Sequence, residues 1–396
     1  MSIKVAPVGN SRILSVGTYR PKRLVPNSEI VDRIDSTDEW IQQRTGIESR
    51  RFAGDDETVI SMAKAACEIA LKRAKLTIAD IDTVILSTIS YPFQAPSAAT
   101  ELINELGNPK AAAFDISAAC AGFCYGVGMG SDLVRSGTSK NVLVIGVEKL
   151  SDYTDPDDRA TAFIFADGAG AVVIGQSDEP RIAQTIWGSD ADSREAILLT
   201  PSFLDYKKNP TKGVADLGWP NISQQGQTVF RWAVYQMSKA GIKALEAAGI
   251  TVDELGAFIP HQANFRIIET MAKEMKIPDS VLIADDNEDI RHYLKNLLSE
   301  EYYILEAEDG LEALELTNKE LPDVIISDVM MPNVDGLELC RKLKQNPKTS
   351  HIPVVLLTAR SAAAHQIEGL ENGADEYLSK PFKCTLTILI VKSSSV

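Results

Sequence analysis

Two groups of residues in this sequence have types and surroundings suited to chemistry, and the first is centred on a cysteine. Cys120 lies in "FDISAACAGFCYGVGMG", after an apolar run typical of a strand and at the start of a small-residue segment typical of a helix. A thiol there experiences the positive end of the helix dipole and free backbone N–H groups, which favour the thiolate and can hold an oxyanion. A cysteine can also simply pack in a core, and we keep that interpretation for Cys124.

The second group consists of polar residues at the ends of predicted strands: Asp285, Asp286, Asp328, Thr358 and Lys380. Three carboxylates that converge at one edge of a sheet form a site for a hard divalent cation such as Mg²⁺. Asp328 is then a candidate phosphoryl acceptor, with the metal and Lys380 neutralising the transferred charge. A single aspartate at a loop start often caps a helix instead, but five such positions at strand ends favour a shared site.

The elements that must position the first group alternate between helix and strand over residues 1–280, which predicts an α/β fold. Apolar residues recur at helical spacing in three segments, 57–74, 228–250 and 265–277. Short apolar runs predict strands at 82–90, 141–150, 168–176 and 256–260. The last of these, "GAFIP", leads directly into His261, which by itself would more often be structural than catalytic.

The elements around the second group are shorter and more closely spaced. From residue 281 the runs "VLIADD", "YILEAE", "DVIISD", "PVVLLTA" and "EYLSKPF" predict strands, with amphipathic helical segments between the earlier ones. This alternation predicts a flavodoxin-like doubly wound parallel sheet with function at the carboxyl ends of its strands. No low-complexity linker separates the two regions, although independent domains are usually joined by one.

Composition narrows the classes of function. The net charge of −15 argues against a general nucleic-acid binder, because an acidic chain repels phosphate. No apolar run reaches the length of a membrane-spanning helix, and the N-terminus does not resemble a signal peptide, so we expect a cytoplasmic protein without a membrane partner. Five cysteines without framework spacing also fit a reducing compartment.

Four motifs in the first region, "DEWIQQRTGI", "AACAGF", "DPDDRATAFIFADGAGA" and "IPHQANFRII", closely resemble ketoacyl-acyl-carrier-protein synthase III. The resemblance covers about residues 10–280. It implies a thiolase-like layered α/β fold of two similar halves and a homodimer. It also implies that Cys120 attacks the thioester of an acyl-CoA, which is a substrate rather than a bound cofactor. His261 would then stabilise the enolate formed from malonyl-carrier protein, and the carbanion would attack the acyl-cysteine.

The same resemblance implies a set of substrate contacts. Trp40 and Arg159 would sandwich the adenine of CoA, a use suited to a flat ring and a planar guanidinium. Arg44 and Arg266 would contact phosphates of CoA or the acidic carrier protein. Asn264 would orient the pantetheine or a water molecule.

The sequence departs from the synthase family after the helix that follows His261. The family's third catalytic residue is an asparagine in a "GNTSAAS"-like segment, followed by a "GFGAG"-like loop and final strands, and none of these occurs here. Asn287 lies at a similar distance but among residues typical of the next domain. We expect condensation to be impaired, because a fixed hydrogen-bond donor to developing charge is worth about 3–4 kcal/mol.

Residues 281–383 resemble the receiver domain of two-component response regulators. The resemblance implies that Asp328 accepts a phosphoryl group from a histidine kinase and that Asp285, Asp286 and Asp328 bind Mg²⁺. It also implies that Thr358 and Tyr377 act as the switch pair, together with Lys380. After Phe382 the run "KCTLTILIVKSSSV" suits a strand better than the receiver's fifth helix, and we interpret 384–396 as an aberrant tail.

The sequence therefore predicts a synthase-like domain at 1–280, incomplete in its C-terminal half, followed by a receiver at 281–383. One hypothesis is an enzyme regulated by phosphorylation. A second, which the missing segments favour, is a chimera in which only the receiver is competent. A third is a non-condensing acyl-CoA-binding scaffold with a phosphorylation switch. Residues 281–286 resemble both a strand of the synthase family and the first strand of a receiver, which accounts for the missing linker.

Overall fold

The structure, a computed structural model, describes residues 8–299, 302–359 and 374–380. The chain divides into two compact units, residues 1–275 and 276–396. The predicted domain boundary lies between residues 280 and 281, and the predicted tail at 384–396 lies outside the described residues.

The first unit contains the elements predicted to position Cys120 and His261. Its strands are β1 (Asn10–Tyr19), β2 (Arg23–Pro26), β3 (Ser49–Phe52), β4 (Thr83–Ser87), β5 (Ala112–Ile116), β6 (Asn141–Lys149), β7 (Asp167–Ser177), β8 (Ile197–Thr200) and β9 (Asn221–Gln224). Its helices are α1 (Asp38–Thr45), α2 (Val59–Ala74), α3 (Ala98–Leu106), α4 (Gly122–Arg135), α5 (Phe203–Lys208), α6 (Val214–Leu217), α7 (Gly226–Trp232), α8 (Ser238–Ala248) and α9 (Phe265–Met275).

The main sheet of the first unit has the strand order β1-β7-β6-β4-β5. Strand β4 pairs in parallel with both β5 and β6, whereas β7 pairs antiparallel with β6 and β1. Every residue of β4 is buried, as expected of a strand covered on both faces. Helix α2 packs on this sheet, and Met62, Ala66 and Cys67 of that helix are fully buried beside Leu86 and Leu143.

The long helical pattern at 228–250 is confirmed, with one irregularity. A π-helical turn at Ala233–Met237 joins α7 to α8. Helix α8 ends at Gly249, whose φ of 69° is the left-handed conformation that closes a helix and that glycine adopts readily.

The strand predicted at 256–260 is wrong. These residues form neither helix nor strand, and Ile259 is 83% exposed. A buried strand requires hydrogen-bonded neighbours, because unpaired backbone groups in a core are costly. Among the described residues that follow β7 in this unit, the only sheet is the two-stranded pair β8-β9. The second half of the layered fold is therefore incomplete, as predicted.

The second unit has the predicted doubly wound fold. Its elements are β10 (Ser280–Ala284), α10 (Glu288–Leu298), β11 (Tyr303–Ala307), α11 (Gly310–Glu320), β12 (Val324–Asp328), α12 (Gly336–Gln345), β13 (Val354–Ala359) and β14 (Glu376–Lys380). The strand order is β11-β10-β12-β13-β14, and every neighbouring pair is parallel. Apolar residues on both faces of β10 and β12 are buried, which explains their continuous apolar sequences. No helix within the described ranges is both long enough and apolar enough to span a membrane.

Candidate functional site

Cys120 lies in a tight turn between a strand and a helix, as predicted. A 3₁₀ turn at Ala119–Ala121 connects β5 to α4, and Ala119 has a φ of 44°, in the left-handed region that alanine rarely adopts. A side chain at Gly122 would place its Cβ 1.9 Å from the Ser87 hydroxyl oxygen. The turn therefore packs directly against the end of β4, and a larger residue at position 122 would require the Ser87 side chain to shift.

The groups around Cys120 shift the pKa of its thiol in opposite directions. Although its side chain is partly exposed, desolvation by the surrounding protein raises the pKa of the Cys120 thiol, and the Glu148 carboxylate raises it further. A hydrogen bond with the backbone of Cys120 itself acts in the opposite direction but does not outweigh these effects. Cys124 is exposed rather than packed in a core, so the interpretation of Cys124 as a core residue is wrong.

His261 lies in the irregular segment between α8 and α9. Although the His261 side chain is exposed, desolvation by the surrounding protein lowers the pKa of its imidazole, which keeps the ring neutral at neutral pH. In the described part of the chain, no hydrogen bond or ion pair joins His261 to Cys120. The neighbouring Asn264 begins α9, because its side-chain oxygen accepts a 2.9 Å hydrogen bond from the Arg266 backbone N–H.

Three of the predicted CoA contacts meet around one indole ring. The guanidinium carbons of Arg44 and Arg159 lie 4.9 Å and 5.3 Å from the centroid of the Trp40 ring. An adenine between Trp40 and Arg159 would require roughly 7 Å, twice a stacking contact. Arg159 must therefore swing aside to admit a base, and it is free to move because its side chain is 52% exposed and its ion pair with Asp35 is 3.9 Å long.

Arg266 joins the same region from α9. Its Nε donates a 3.0 Å hydrogen bond to the Gln43 carbonyl near the end of α1, beside Arg44. Helix α1 ends at Gly46 in the left-handed conformation, and a side chain there would lie 3.0 Å from the Cβ of Phe265. Three arginines thus surround Trp40 and the end of α1 and form a positive region suited to phosphate groups.

The acidic residues of the second unit converge as predicted. One carboxylate oxygen from each of Asp285, Asp286 and Asp328 lies within 4.8 Å of the other two. The Lys380 ammonium lies 2.9 Å from Asp285 and 3.0 Å from Asp328. Asp285 is fully buried, Asp286 is exposed and Asp328 is intermediate, so the cluster opens to solvent on one side.

Burial governs the ionisation of Asp328. Desolvation raises the pKa of the Asp328 carboxyl even though the Lys380 ammonium opposes that shift. The ligand set consists of hard carboxylate oxygens, which fits Mg²⁺ or a similar cation and not a soft metal. A divalent cation would compensate the negative charges that Lys380 alone leaves unbalanced.

The two predicted switch residues lie on adjacent strands of the same sheet. Thr358 is buried at the end of β13, and Leu356, two residues earlier, is in register with Tyr377 of β14. The Tyr377 hydroxyl is buried without a hydrogen-bond partner among the described residues, and burial raises its pKa to about 12. Its ring therefore points inward.

The sequence analysis missed two charged residues that support these sites. Arg291 is 8% exposed, donates a 2.8 Å hydrogen bond to the Asp285 carbonyl and contacts Glu308 at 3.5 Å. Its spacing with Leu294 and Leu298 places it on the buried face of α10, which helical periodicity could have revealed. The other residue is Glu148, whose apolar surroundings in β6 suggest only a strand end.

Comparison with known proteins identifies both units. The family model for 3-oxoacyl-[acyl-carrier-protein] synthase III matches residues 114–191, and the model for its C-terminal part matches 245–288. The response regulator receiver domain matches residues 281–391. A beta-ketoacyl-[acyl-carrier-protein] synthase III of Streptomyces glaucescens is 51% identical over 276 residues, which are 70% of this chain and 81% of that protein.

The chain belongs to the synthase III family, joined to a receiver domain. The fold of the synthase unit resembles the priming beta-ketosynthase of a polyketide biosynthetic pathway, with a TM-score of 0.67, 42% identity, and coverage of 70% of this chain and 82% of that one. The synthase III of Aquifex aeolicus gives a TM-score of 0.62 at 32% identity, and the match covers 78% of this chain and 91% of that one.

The two family models overlap at the junction. Residues 281–288 are matched both by the C-terminal part of the synthase family and by the receiver family. This overlap agrees with the prediction that the strand at 281–286 resembles both the synthase family and the receiver family. In the structure, β10 pairs with β11 and β12 and is a central strand of the receiver sheet.

Proposed function

We propose that the second unit is a phosphate-accepting receiver and that Asp328 is the residue phosphorylated, with a histidine kinase as the physiological donor. The observation that carries the proposal is the position of Lys380, which contacts Asp285 at 2.9 Å and Asp328 at 3.0 Å within a cluster of three carboxylates. A cation placed there compensates charge on a phosphoryl group attached to Asp328.

The reaction requires the ionised form of Asp328. One carboxylate oxygen attacks phosphorus, and an aspartyl phosphate forms as the bond from phosphorus to the donor breaks. The leaving atom is the imidazole nitrogen of a phosphohistidine in the kinase, or the carboxylate oxygen of acetyl phosphate. Asp285, Asp286 and Asp328 would hold Mg²⁺, which when bound would neutralise phosphate charge. Burial raises the pKa of Asp328. As the pH is lowered, the nucleophilic carboxylate form is therefore lost at a higher pH than it would be for an exposed aspartate.

Thr358 and Tyr377 would transmit the change. The hydroxyl of Thr358, at the strand end next to the cluster, would bond the phosphoryl group. The inward position of Tyr377 and its unpartnered hydroxyl make its ring sensitive to that rearrangement, because a buried hydroxyl without a partner is costly.

For the synthase unit, we propose that acyl transfer from acyl-CoA to Cys120 is retained and that condensation with malonyl-carrier protein is lost. Trp40, Arg44, Arg159 and Arg266 form the region that would bind CoA and the carrier. The segment before His261 is not a strand, and Ile259 is exposed, so His261 lacks the rigid support that enolate stabilisation requires. The receiver is then the fully competent module of the fusion.

The receiver proposal is tested by phosphorylation with acetyl phosphate and Mg²⁺, read by intact mass and peptide mapping. The wild-type protein should gain one phosphoryl group at Asp328, and Asp328→Asn should gain none. Asp335→Asn is a matched control, because asparagine also caps α12 and the residue lies outside the cluster. Equal phosphorylation of Asp328→Asn and wild type would contradict the proposal.

A further inference from the structure

One aspartate of the receiver unit joins a helix to the loop that follows Asp328. Asp309 precedes α11, and its Oδ1 accepts 2.8 Å hydrogen bonds from the backbone N–H groups of Leu311 and Glu312, which makes it the N-cap of that helix. Its other oxygen, Oδ2, accepts a 2.5 Å hydrogen bond from the side-chain amide of Asn333, in the loop between β12 and α12. One carboxylate thus caps a helix with one oxygen and holds a loop with the other.

The loop begins directly after Asp328, and its two ends lie together. The Gly336 N–H donates a 3.0 Å hydrogen bond to the Val329 carbonyl, and a Cβ on Gly336 would lie 2.1 Å from the Asp328 carbonyl oxygen. Within the loop, the Val334 N–H donates a 2.8 Å hydrogen bond to the Pro332 carbonyl. Because these bonds close the loop into one compact unit, a displacement of its tip is transmitted to the backbone of Asp328.

The tip of the loop rests on the first turn of α11. Asn333 has a φ of 62°, in the left-handed region that asparagine adopts more readily than most residues. The next residue, Val334, is buried, and a Cβ on Gly310 would lie 2.2 Å from its carbonyl oxygen. The hydrogen bond from Asn333 to Asp309 therefore fixes the tip where the two backbones already approach closely.

The geometry of the acidic cluster depends on where this loop leaves Asp328. The Asp328 carboxylate lies 3.0 Å from the Lys380 ammonium, and one of its oxygens lies within 4.8 Å of those of Asp285 and Asp286. The other three residues lie at the ends of β10 and β14, so a displacement of the β12–α12 loop moves Asp328 relative to them. Small errors in the position of a reacting group reduce a rate strongly.

We propose that Asp309 is a positioning residue for the phosphorylation of Asp328, and that it acts by holding the β12–α12 loop through Asn333. The inference rests on the proposed phosphorylation of Asp328 and adds a residue outside the acidic cluster that sets its rate. The cap on α11 and the hold on the loop use different oxygens of Asp309, so the two roles can be separated by substitution.

The first test is the rate at which acetyl phosphate phosphorylates the full chain at saturating Mg²⁺, read by intact mass. Asn333→Gly removes the hydrogen bond without adding charge, and glycine adopts the left-handed conformation without strain. This variant should be phosphorylated about three- to tenfold more slowly than wild type. Asn333→Asp, which sets two carboxylates against each other, should be slowed at least as much.

A double variant and a charge control complete this series. Asp309→Asn combined with Asn333→Asp interchanges the two partners, because the amide at position 309 can donate to the carboxylate at position 333 while its oxygen keeps the cap. The rate should return to within about twofold of wild type. Asn318→Asp adds a negative charge at an exposed position at the opposite end of α11 and should leave the rate unchanged.

Amide hydrogen exchange, measured without Mg²⁺ or phosphoryl donor, reads the loop itself. Residues 329–336 should exchange about threefold or more faster in Asn333→Gly, whereas 310–320 should be unchanged because Asp309 still caps α11. An Asn333→Gly chain that matches wild type in either measurement, or a double variant that stays as slow as Asn333→Asp, would overturn the proposal. A wild-type chain that gains no phosphate on Asp328 would instead refute the proposed function, and the exchange result would still be readable.

Discussion

At the scale of single residues, partial desolvation of His261 predicts a measurable dependence of stability on pH. Its pKa is lowered in the folded chain, whereas the unfolded chain has a value near 6.5. Below that pH the unfolded chain binds a proton that the folded chain does not, so this residue reduces stability progressively as the pH falls towards the folded value. Above pH 6.5 the effect is absent.

The ring resonances of His261 in NMR should therefore titrate below pH 6.5, with His261→Gln used for assignment. The free energy of unfolding of His261→Gln should also be measured against that of wild type at two pH values. The difference should favour the variant more at pH 5.5 than at pH 7.5. A titration midpoint above 6.5 would show that a negative group, not burial, dominates the environment of the imidazole.

At the scale of elements, the packing of α2 on the main sheet depends on one glycine in β1. A Cβ on Gly17 would lie 2.1 Å from the Ala66 carbonyl oxygen and 2.5 Å from the Ala70 nitrogen, both in the backbone of α2. Gly170 of β7 pairs with the next residue, Thr18, and a Cβ there would meet nothing within 4 Å. The two positions form a matched pair within one strand ladder.

Gly17→Ala should destabilise the synthase unit by about 3 kcal/mol, the upper end of the usual cost of overpacking, since backbone atoms cannot yield as side chains do. Gly170→Ala should change the free energy of unfolding by less than about 1 kcal/mol. Urea unfolding followed by tryptophan fluorescence reports this unit specifically, because all four tryptophans precede residue 276. Similar losses for the two variants would contradict the described packing of α2.

Individual elements show which parts of the fold and of the sites can be predicted from the sequence alone. Periodicity predicted the strands and helices of the receiver, and because parallel strands end at one edge it also brought Asp285, Asp328 and Lys380 together. The same reasoning failed for 256–260, since an apolar run becomes a strand only where neighbouring strands exist. The roles of Arg291 and Glu148 were not predicted, because they depend on hydrogen bonds to backbone groups distant in sequence. A local sequence pattern does not reveal such bonds.

At the scale of the whole molecule, the two units differ in completeness. More than half of the exposed large apolar side chains among the described residues lie between residues 187 and 265, in the part of the synthase unit that follows β7. The match to the Streptomyces glaucescens relative covers 81% of that protein's length. The receiver, by contrast, has apolar cores on both faces of a five-stranded parallel sheet.

The most direct test of this account is one mass-spectrometric measurement on the full chain incubated with acetyl-CoA, malonyl-carrier protein, acetyl phosphate and Mg²⁺. We expect a phosphoryl group on Asp328, an acetyl group on Cys120 and no ketoacyl-carrier protein. Ketoacyl product that disappears in Cys120→Ala, or a chain without phosphate on Asp328, would contradict the account.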